Sequence, residues 1–225
     1  KVLRRRFAVD THGGGGNYVF VKLKETSGTG SLADFGAHML DLSDWMLREQ
    51  CGEMVTFTGT TVTSIPERYV IDPTSAAGEK ESDRKAPVTN DDTATFCAIT
   101  DKGVMFSFMT SRINFSGAEF EIVGENGSIS NSDKWPAGTI GMMLKNAPVP
   151  GQTEIKFGMT PVPIPEKYLG EGTKGVSHYG VICEFADCIA NGKKPVRDLE
   201  RGLYIQQLID NFAKAAAEGR TVVAR

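Results

Sequence analysis

Residues 27–46 read SGTGSLADFGAHMLDLSDWM, and this stretch predicts a helix with one apolar face. Its apolar side chains recur at intervals of three and four residues, which is typical of a helix packed on a core. Ser31 can accept a hydrogen bond from the free amides of the first turn, so we expect it to be the N-cap, with the helix ending near Cys51. The apolar residues are Leu32, Phe35, Met39, Leu42 and Met46.

The same helix carries a polar stripe. Because a helix advances about 100° per residue, Asp34, His38, Asp41 and Trp45 fall on one narrow line along its side. This line borders the apolar face and places the His38 imidazole one turn from the Asp34 carboxylate. A carboxylate in that position can tune an imidazole for proton transfer. Asp34 and His38 are therefore the catalytic candidates.

Other interpretations of the stripe remain open. An Asp and a His four residues apart on a helix can form an ordinary side-chain contact without any catalytic function. Asp34, His38 and Asp41 could together bind a metal ion, but neither a cysteine nor a second histidine stands near them, so we expect no metal site. Asp41 could instead hydrogen-bond the backbone of a loop.

The elements around this helix predict one α+β domain over residues 1–225. Val2–Asp10 reads as a strand, six or more strands joined by short turns follow the helix, and two helices close the chain. Strands joined by hairpins are antiparallel neighbours, so we expect a large, mostly antiparallel open sheet with helices on one face. Residues 66–92 or thereabouts carry Pro, Gly and charge, which predicts an excursion or mobile loop.

Several local signals place these elements more finely. Asn126-Gly127 between apolar segments predicts a hairpin turn with both residues at its centre. Glu154–Phe157 is a further candidate strand. The closing helices are predicted over about Val176–Ala190, with an apolar face, and from Asp198 to Gly219.

Composition excludes several classes of partner. The chain has 25 Lys and Arg against 28 Asp and Glu, a net charge of −3, which gives no electrostatic footprint for nucleic acid or an anionic membrane. Its four cysteines form no CxxC pair, so we expect neither a zinc site nor disulfides, and a cytoplasmic location. No apolar run approaches the roughly 20 residues that a membrane span needs.

The helix motif resembles the G-G-x-L-x-D-x-G-x-H-x-x-D motif of the Gfo/Idh/MocA oxidoreductases, a family that includes glucose–fructose oxidoreductase and inositol dehydrogenase. Later segments resemble the family in the same order: residues 91–103, the hairpin FEIVGENGSI at residues 120–129, and the closing helices at residues 184–192 and 216–220. The resemblance therefore covers nearly the whole chain.

The resemblance implies both a fold and a chemistry. Such enzymes have an N-terminal Rossmann domain that binds NAD or NADP, and a C-terminal α+β domain whose open sheet commonly packs against a partner subunit. The family's Asp and His, matched here by Asp34 and His38, take part in proton transfer at the substrate hydroxyl or carbonyl, while hydride passes to or from C4 of the nicotinamide. The implied function is an oxidoreductase acting on a sugar, inositol or related hydroxy compound, assembled as a homo-oligomer.

The chain also departs from the family pattern. It has no G-x-G-x-x-G after an opening strand and no E-K-P motif, which in the family carries a catalytic lysine. Gly13–Gly16 lacks the spacing of a dinucleotide fingerprint. We therefore expect no cofactor-binding residues in this chain, a Rossmann half of about 120–150 residues upstream of Lys1, and no hydride transfer by the 225 residues alone.

Six more polar residues are candidates for substrate binding. They lie on or beside the glycine loop, after the strand that ends near Thr110, and at the start of the penultimate helix. Each has a structural alternative, as a solvated loop residue, a residue on the rim of the sheet or a helix cap. The candidates are His12, Asn17, Arg112, Asn114, His178 and Tyr179.

Two other functions fit the same pattern. A glycosidase that uses tightly held NAD for transient oxidation shares the architecture and differs only in its products. A non-catalytic sugar-sensing or partner-binding protein could retain the sheet for association. The presence of both Asp34 and His38 favours an enzyme over the second of these.

Overall fold

The computed structural model describes residues 2–10, 23–28, 30–71, 81–113, 117–132, 134–166, 179–195 and 197–224. Its helices and strands, in chain order, are β1 (Val2–Asp10), α1 (Lys24–Ser27), α2 (Ser31–Cys51), β2 (Met54–Val62), β3 (Glu67–Ile71), β4 (Glu81–Pro87), β5 (Thr93–Thr100), β6 (Met105–Ser111), β7 (Gly117–Gly124), β8 (Gly127–Asn131), β9 (Thr139–Leu144), β10 (Thr160–Pro163), α3 (Tyr179–Asn191), α4 (Leu199–Glu218) and β11 (Val222–Val223).

Nine strands form one sheet in the order β10-β9-β8-β7-β1-β6-β5-β2-β11. Every neighbouring pair is antiparallel except β1 and β6, which run parallel. The predicted α+β class with a large, mostly antiparallel sheet is confirmed. One detail differs: β1 lies between β6 and β7, so these two strands are consecutive in the chain without being neighbours.

The core lies between one face of the sheet and the helices α2 and α4. Its centre is Phe212 on α4, which is fully buried. The Phe212 ring lies 4.8–6.4 Å, centroid to centroid, from those of Phe57, Phe96 and Phe108, on β2, β5 and β6. Aromatic rings buried in this way contribute strongly to stability. This contact fixes α4 on the sheet, and α2 packs on the same core, so both helices lie on one side of the sheet, as predicted.

The apolar face predicted for α2 is confirmed in part. Leu32 and Met39 are buried, and Phe35 and Met46 are half-buried. Leu42 was expected in the core, but its side chain is 39% exposed. The helix turns Leu42 away from its buried side, which includes Leu32, Gly36, Met39, Leu40 and Ser43.

The excursion near residues 66–92 contains more order than a loop. β3 and β4 pair with each other in a separate two-stranded sheet, while residues 72–80 lie outside the described part. The prediction of a strand at Glu154–Phe157 is wrong, because this segment is turn and irregular chain between β9 and β10. Phe157 there is fully exposed, so its apolar character does not reflect a place in the sheet.

The hairpin between β7 and β8 is confirmed, but its turn lies one residue earlier than predicted. Gly124 pairs with Gly127, so the two residues of the turn are Glu125 and Asn126. Gly127 begins β8 with φ of 153°. A Cβ at that position would lie 2.0 Å from the carbonyl oxygen of Met143, so the close approach of β9 requires glycine.

The penultimate helix, α3, differs from expectation in its burial. The predicted apolar face is present, but its side chains are 57–68% exposed: Val181, Ile182, Phe185 and Ile189. Among the described side chains of α3, only Cys188 is buried.

None of the helices that the structure describes is long and apolar enough to cross a membrane.

Candidate functional site

The N-terminus of α2 lies at one end of the sheet, beside the end of β6 and the start of β5. Thr93, the first residue of β5, pairs with Ser111, the last residue of β6. Arg112 follows β6, and its amide donates a 2.7 Å hydrogen bond to the carbonyl oxygen of Asp92, just before β5. This end of the sheet therefore brings Asp92, Arg112 and the first turn of α2 together.

Asp91 caps α2 from a distant part of the sequence. The amides of Gly30 and Leu32 donate to its two carboxylate oxygens, at 2.7 and 2.8 Å. The amide of Ser31 donates to its backbone carbonyl, at 2.9 Å. A carboxylate at a helix N-terminus satisfies free amides and interacts favourably with the helix dipole.

The prediction that Ser31 is the N-cap is wrong. Ser31 is the first residue inside α2, and the N-cap position belongs to Gly30. The Ser31 hydroxyl is buried without a hydrogen-bond partner among the described residues. Position 30 requires glycine, because the segment that leads into β5 passes close to it. A Cβ on residue 30 would lie 2.0 Å from the carbonyl oxygen of Asp91.

Asp34, in the first turn of α2, is bound by Arg112. The Arg112 Nη2 lies 2.6 Å from the Asp34 Oδ2. The Arg112 side chain is only 14% exposed and stands 5.9 Å from the centre of the Phe35 ring, whereas Asp34 is 51% exposed. The structure thus unites two residues that the sequence nominated separately, one for catalysis and one for substrate binding.

His38 is exposed on α2, one turn beyond Asp34. In the described part of the chain, no carboxylate oxygen lies within ion-pair distance of its imidazole. The neighbouring carboxylates of the stripe are bound by arginines instead. The side chains expected to pair along the helix are therefore adjacent without a direct bond.

Asp41 is bound by two arginines. Arg201 lies in the first turn of α4, and Arg197 lies just before that helix. Arg197 Nε lies 2.8 Å from Oδ2, and Arg201 Nε lies 2.6 Å from Oδ1. Arg201 also donates to the Asp41 backbone carbonyl at 2.8 Å. Asp41 therefore binds arginine side chains, not the backbone of a loop. Arg197 lies 5.4 Å from the ring centre of Trp45, the exposed last member of the stripe.

Behind this stripe, charged side chains join α2 to α4. Asp44 is buried, 3.1 Å from Arg201 and 3.7 Å from Arg48. Burial raises the pKa of the Asp44 carboxyl, against the opposing effect of both arginines. Arg48 stacks on Tyr204 of α4 at 4.4 Å, and burial raises the pKa of that phenol to about 12. Sequence reasoning missed this cluster, because Asp41 and Arg201 are 160 residues apart.

The structure does not describe the side chains of the remaining predicted site residues. Tyr179 begins α3, and its side chain is outside the described part. His12, Asn17, Asn114 and His178 also lie outside the described residues. Among the residues that are described, no three His, Cys, Asp or Glu side chains are grouped so that they could hold a metal ion.

A family model described as "Oxidoreductase family, C-terminal alpha/beta domain" matches residues 12–224. Fold and match together define the chain as a C-terminal domain of the oxidoreductase class. The chain belongs to the Gfo/Idh/MocA oxidoreductase family. No curated protein is a significant match.

Solved structures with the same fold include three that are informative. Levoglucosan dehydrogenase in its apo form has 22% identity and a TM-score of 0.78. The match covers all of this chain and 60% of that chain. An oxidoreductase domain protein from Kribbella flavida has 20% identity and a TM-score of 0.75, with the same coverage. Aldose-aldose oxidoreductase from Caulobacter crescentus, complexed with glycerol, has 18% identity and a TM-score of 0.64, covering 99% and 56%. The chain thus spans about 60% of the length of these proteins.

Proposed function

We propose that this chain is the substrate-binding and oligomerisation domain of an NAD- or NADP-dependent oxidoreductase. The enzyme transfers hydride between the nicotinamide and a sugar, inositol or related hydroxy compound. The observation that carries the proposal is the exposed His38 one turn from Asp34, on the helix whose motif marks the family, at the end of the sheet where Arg112 also lies. An exposed imidazole is accessible to a substrate hydroxyl.

In this proposal, His38 exchanges the proton of the substrate hydroxyl or carbonyl as general acid and base. Asp34 and Arg112 bind and orient polar groups of the substrate beside it. The nicotinamide supplies or accepts the hydride. The described residues contain no glycine-rich phosphate turn, so the cofactor is assigned mainly to a separate nucleotide-binding domain.

The ligands of similar structures support this choice. One levoglucosan dehydrogenase structure is a complex with NADH and L-sorbose, and another is a complex with NADH and levoglucosan. Both have about the same fold as this chain, with TM-scores of 0.77 and 0.76. We therefore place sugars and their anhydro derivatives first among the substrates to test.

The full-length protein is expected to interconvert NAD(P)+ and NAD(P)H with at least one hydroxy compound. The assay follows absorbance at 340 nm with each cofactor and with levoglucosan, L-sorbose, myo-inositol and D-glucose. The 225-residue chain alone, as the control, is expected to give no signal. Release of nitrophenol from a nitrophenyl glycoside without net NADH formation would favour the NAD-dependent glycosidase instead. Sugar binding without turnover of either kind would favour a sensor.

We also propose that the chain forms a homo-oligomer through the open face of the sheet. Cross-strand neighbours on the face opposite the helices include Ile99 and Met105, which are 44% and 43% exposed. They lie beside small polar side chains such as Ser107 and Thr95. Exposed apolar side chains on a sheet face that no described helix covers support an interface with a second subunit.

Multi-angle light scattering of the chain at micromolar concentration is expected to give at least twice the 24.3 kDa monomer mass. The double substitution Ile99→Glu and Met105→Glu should reduce it to a monomer, because two carboxylates per subunit would be buried without partners. Ile155→Glu, at an exposed position in the segment between β9 and β10, is the matched control and should leave the assembly intact. A wild-type monomer would contradict the proposal.

A further inference from the structure

The exposed apolar side chains of α3 share one face of the helix. α3 has 13 residues, which is at the lower limit of length for a helix that is stable by itself in water. An exposed apolar face on so short a helix indicates a surface that a partner covers. The face consists of Val181, Ile182, Phe185 and Ile189.

This face continues into a groove between α3 and the start of α4. The groove has a volume of about 520 Å³. Apolar side chains line it from three places: Phe185 on α3, Pro195 in the connection, and Leu199, the first residue of α4. Leu199 is 93% exposed. A groove of this kind can accept an apolar side chain of a partner, which is where protein interfaces concentrate their binding energy.

Arg197 joins the groove to the polar stripe of α2. It lines the groove, and its Nε lies 2.8 Å from the Asp41 Oδ2. Its guanidinium also lies 5.4 Å from the ring centre of Trp45, which is 55% exposed. The apolar surface therefore reaches the stripe at Asp41, within one helical turn of His38.

We propose that the α3 face, the groove and Trp45 together form the docking surface for the nucleotide-binding domain of the same enzyme. The inference rests on the proposed function, which assigns the cofactor to a separate domain. The similar structures contain enough additional chain for such a domain, because this chain covers only 60% of their length. Interfaces between domains of one chain resemble interfaces between proteins, so an apolar groove suits one.

The position of the surface also agrees with the proposed chemistry. Hydride transfer requires the cofactor in contact with the substrate carbon, and His38 is proposed to act on the hydroxyl of that carbon. The domain that binds the cofactor must therefore lie beside the stripe. The surface that reaches Asp41 satisfies this condition.

A second copy of the chain is the less suitable occupant. Ile99 and Met105, the proposed contact between subunits, lie on the face of the sheet opposite the helices. The ion pair between Arg197 and Asp41 places the groove on the helix side instead. The two exposed apolar surfaces therefore indicate two different partners.

The test is photo-crosslinking within the full-length protein, from p-benzoyl-phenylalanine introduced in place of Phe185. This replacement keeps an aromatic ring at the position, and the activated benzophenone reacts with side chains in contact with it. The expected product is a crosslink within one polypeptide. Peptide mass spectrometry should map it to the domain that contains the glycine-rich phosphate turn.

The matched control carries the same group in place of Cys183, which is also exposed on α3. Two residues on a helix differ by about 200° in direction, so positions 183 and 185 lie on nearly opposite sides. The crosslink to the nucleotide-binding domain should be lost in this control. If the variant at position 185 does not fold, the group is placed at Ile189, on the same face as Phe185, and judged by the same criteria.

Three results would overturn the proposal. They are the absence of a crosslink to that domain, a product of doubled mass on a denaturing gel as the main species, and equal yields from positions 183 and 185. A crosslink that maps only within residues 1–225 counts as the first of these. The crosslink requires no turnover, so failure of this contact and failure of the oxidoreductase assay are separate results.

Discussion

Replacing His38 with alanine in the full-length enzyme is expected to lower turnover by about 10²–10⁴-fold, the usual contribution of general acid–base catalysis. The reason is that the exposed imidazole is the group proposed to exchange the substrate proton. Asp34→Asn should lower turnover less, because Asp34 is bound to Arg112 and acts on the substrate and the charge of the site. Cofactor affinity should barely change in either variant.

Steady-state kinetics on folded variants, with the cofactor titrated separately, measure these effects. A purely structural role of the two side chains predicts the opposite pattern, with an altered melting temperature and unchanged turnover per folded molecule. Turnover of His38→Ala close to that of the wild type would remove His38 from the mechanism. Asp41→Asn is a useful comparison, because Asp41 lies on the same stripe but is occupied by two arginines.

The second large effect is expected at Asp91. Asp91→Ala should lower the free energy of unfolding by about 2–3 kcal/mol, since it removes acceptors from two amides at once and a negative charge from the N-terminus of α2. Asp91→Asn, which retains one acceptor oxygen, should cost about half as much. Urea denaturation of the chain, monitored by circular dichroism, measures the difference.

Ser31→Ala is the control for this prediction. Because the buried Ser31 hydroxyl has no partner among the described residues, its removal is expected to be neutral or slightly stabilising. Asp198→Ala, which removes a cap that accepts from a single amide of α4, should fall between the two. If Ser31→Ala proved as costly as Asp91→Ala, Ser31 would be the true cap of α2.

Much of the helical structure could be predicted because its signals are local. The predicted end of α2 near Cys51 agrees with the structure, and so do the predicted limits of α4, Asp198 and Gly219, which the structure shows to be its N-cap and its left-handed C-cap. Periodicity and capping involve residues within one or two turns of each other, so a linear reading contains them. The same holds for the hairpin between β7 and β8, although not for its turn residues.

Local sequence signals predicted only part of the candidate site. The spacing of Asp34 and His38 places them on one side of a helix, and the resemblance to the family attaches a chemistry to them. Neither reveals that Arg112 binds Asp34, because the two residues are 78 positions apart. Helical spacing predicts which side chains are near each other but not which competitor reaches them from another element.

Taken alone, the sequence determined the class of fold, the family, the limits of α2 and α4 and the identity of the polar stripe. The tertiary structure alone decided four things: the insertion of β1 between β6 and β7, the cap of α2, the exposure of α3, and the arginine partners of Asp34 and Asp41. The physical reason is the range of the interactions. Propensity, periodicity and caps act over a few residues, whereas strand neighbours and ion pairs depend on which distant segments the packed core brings together.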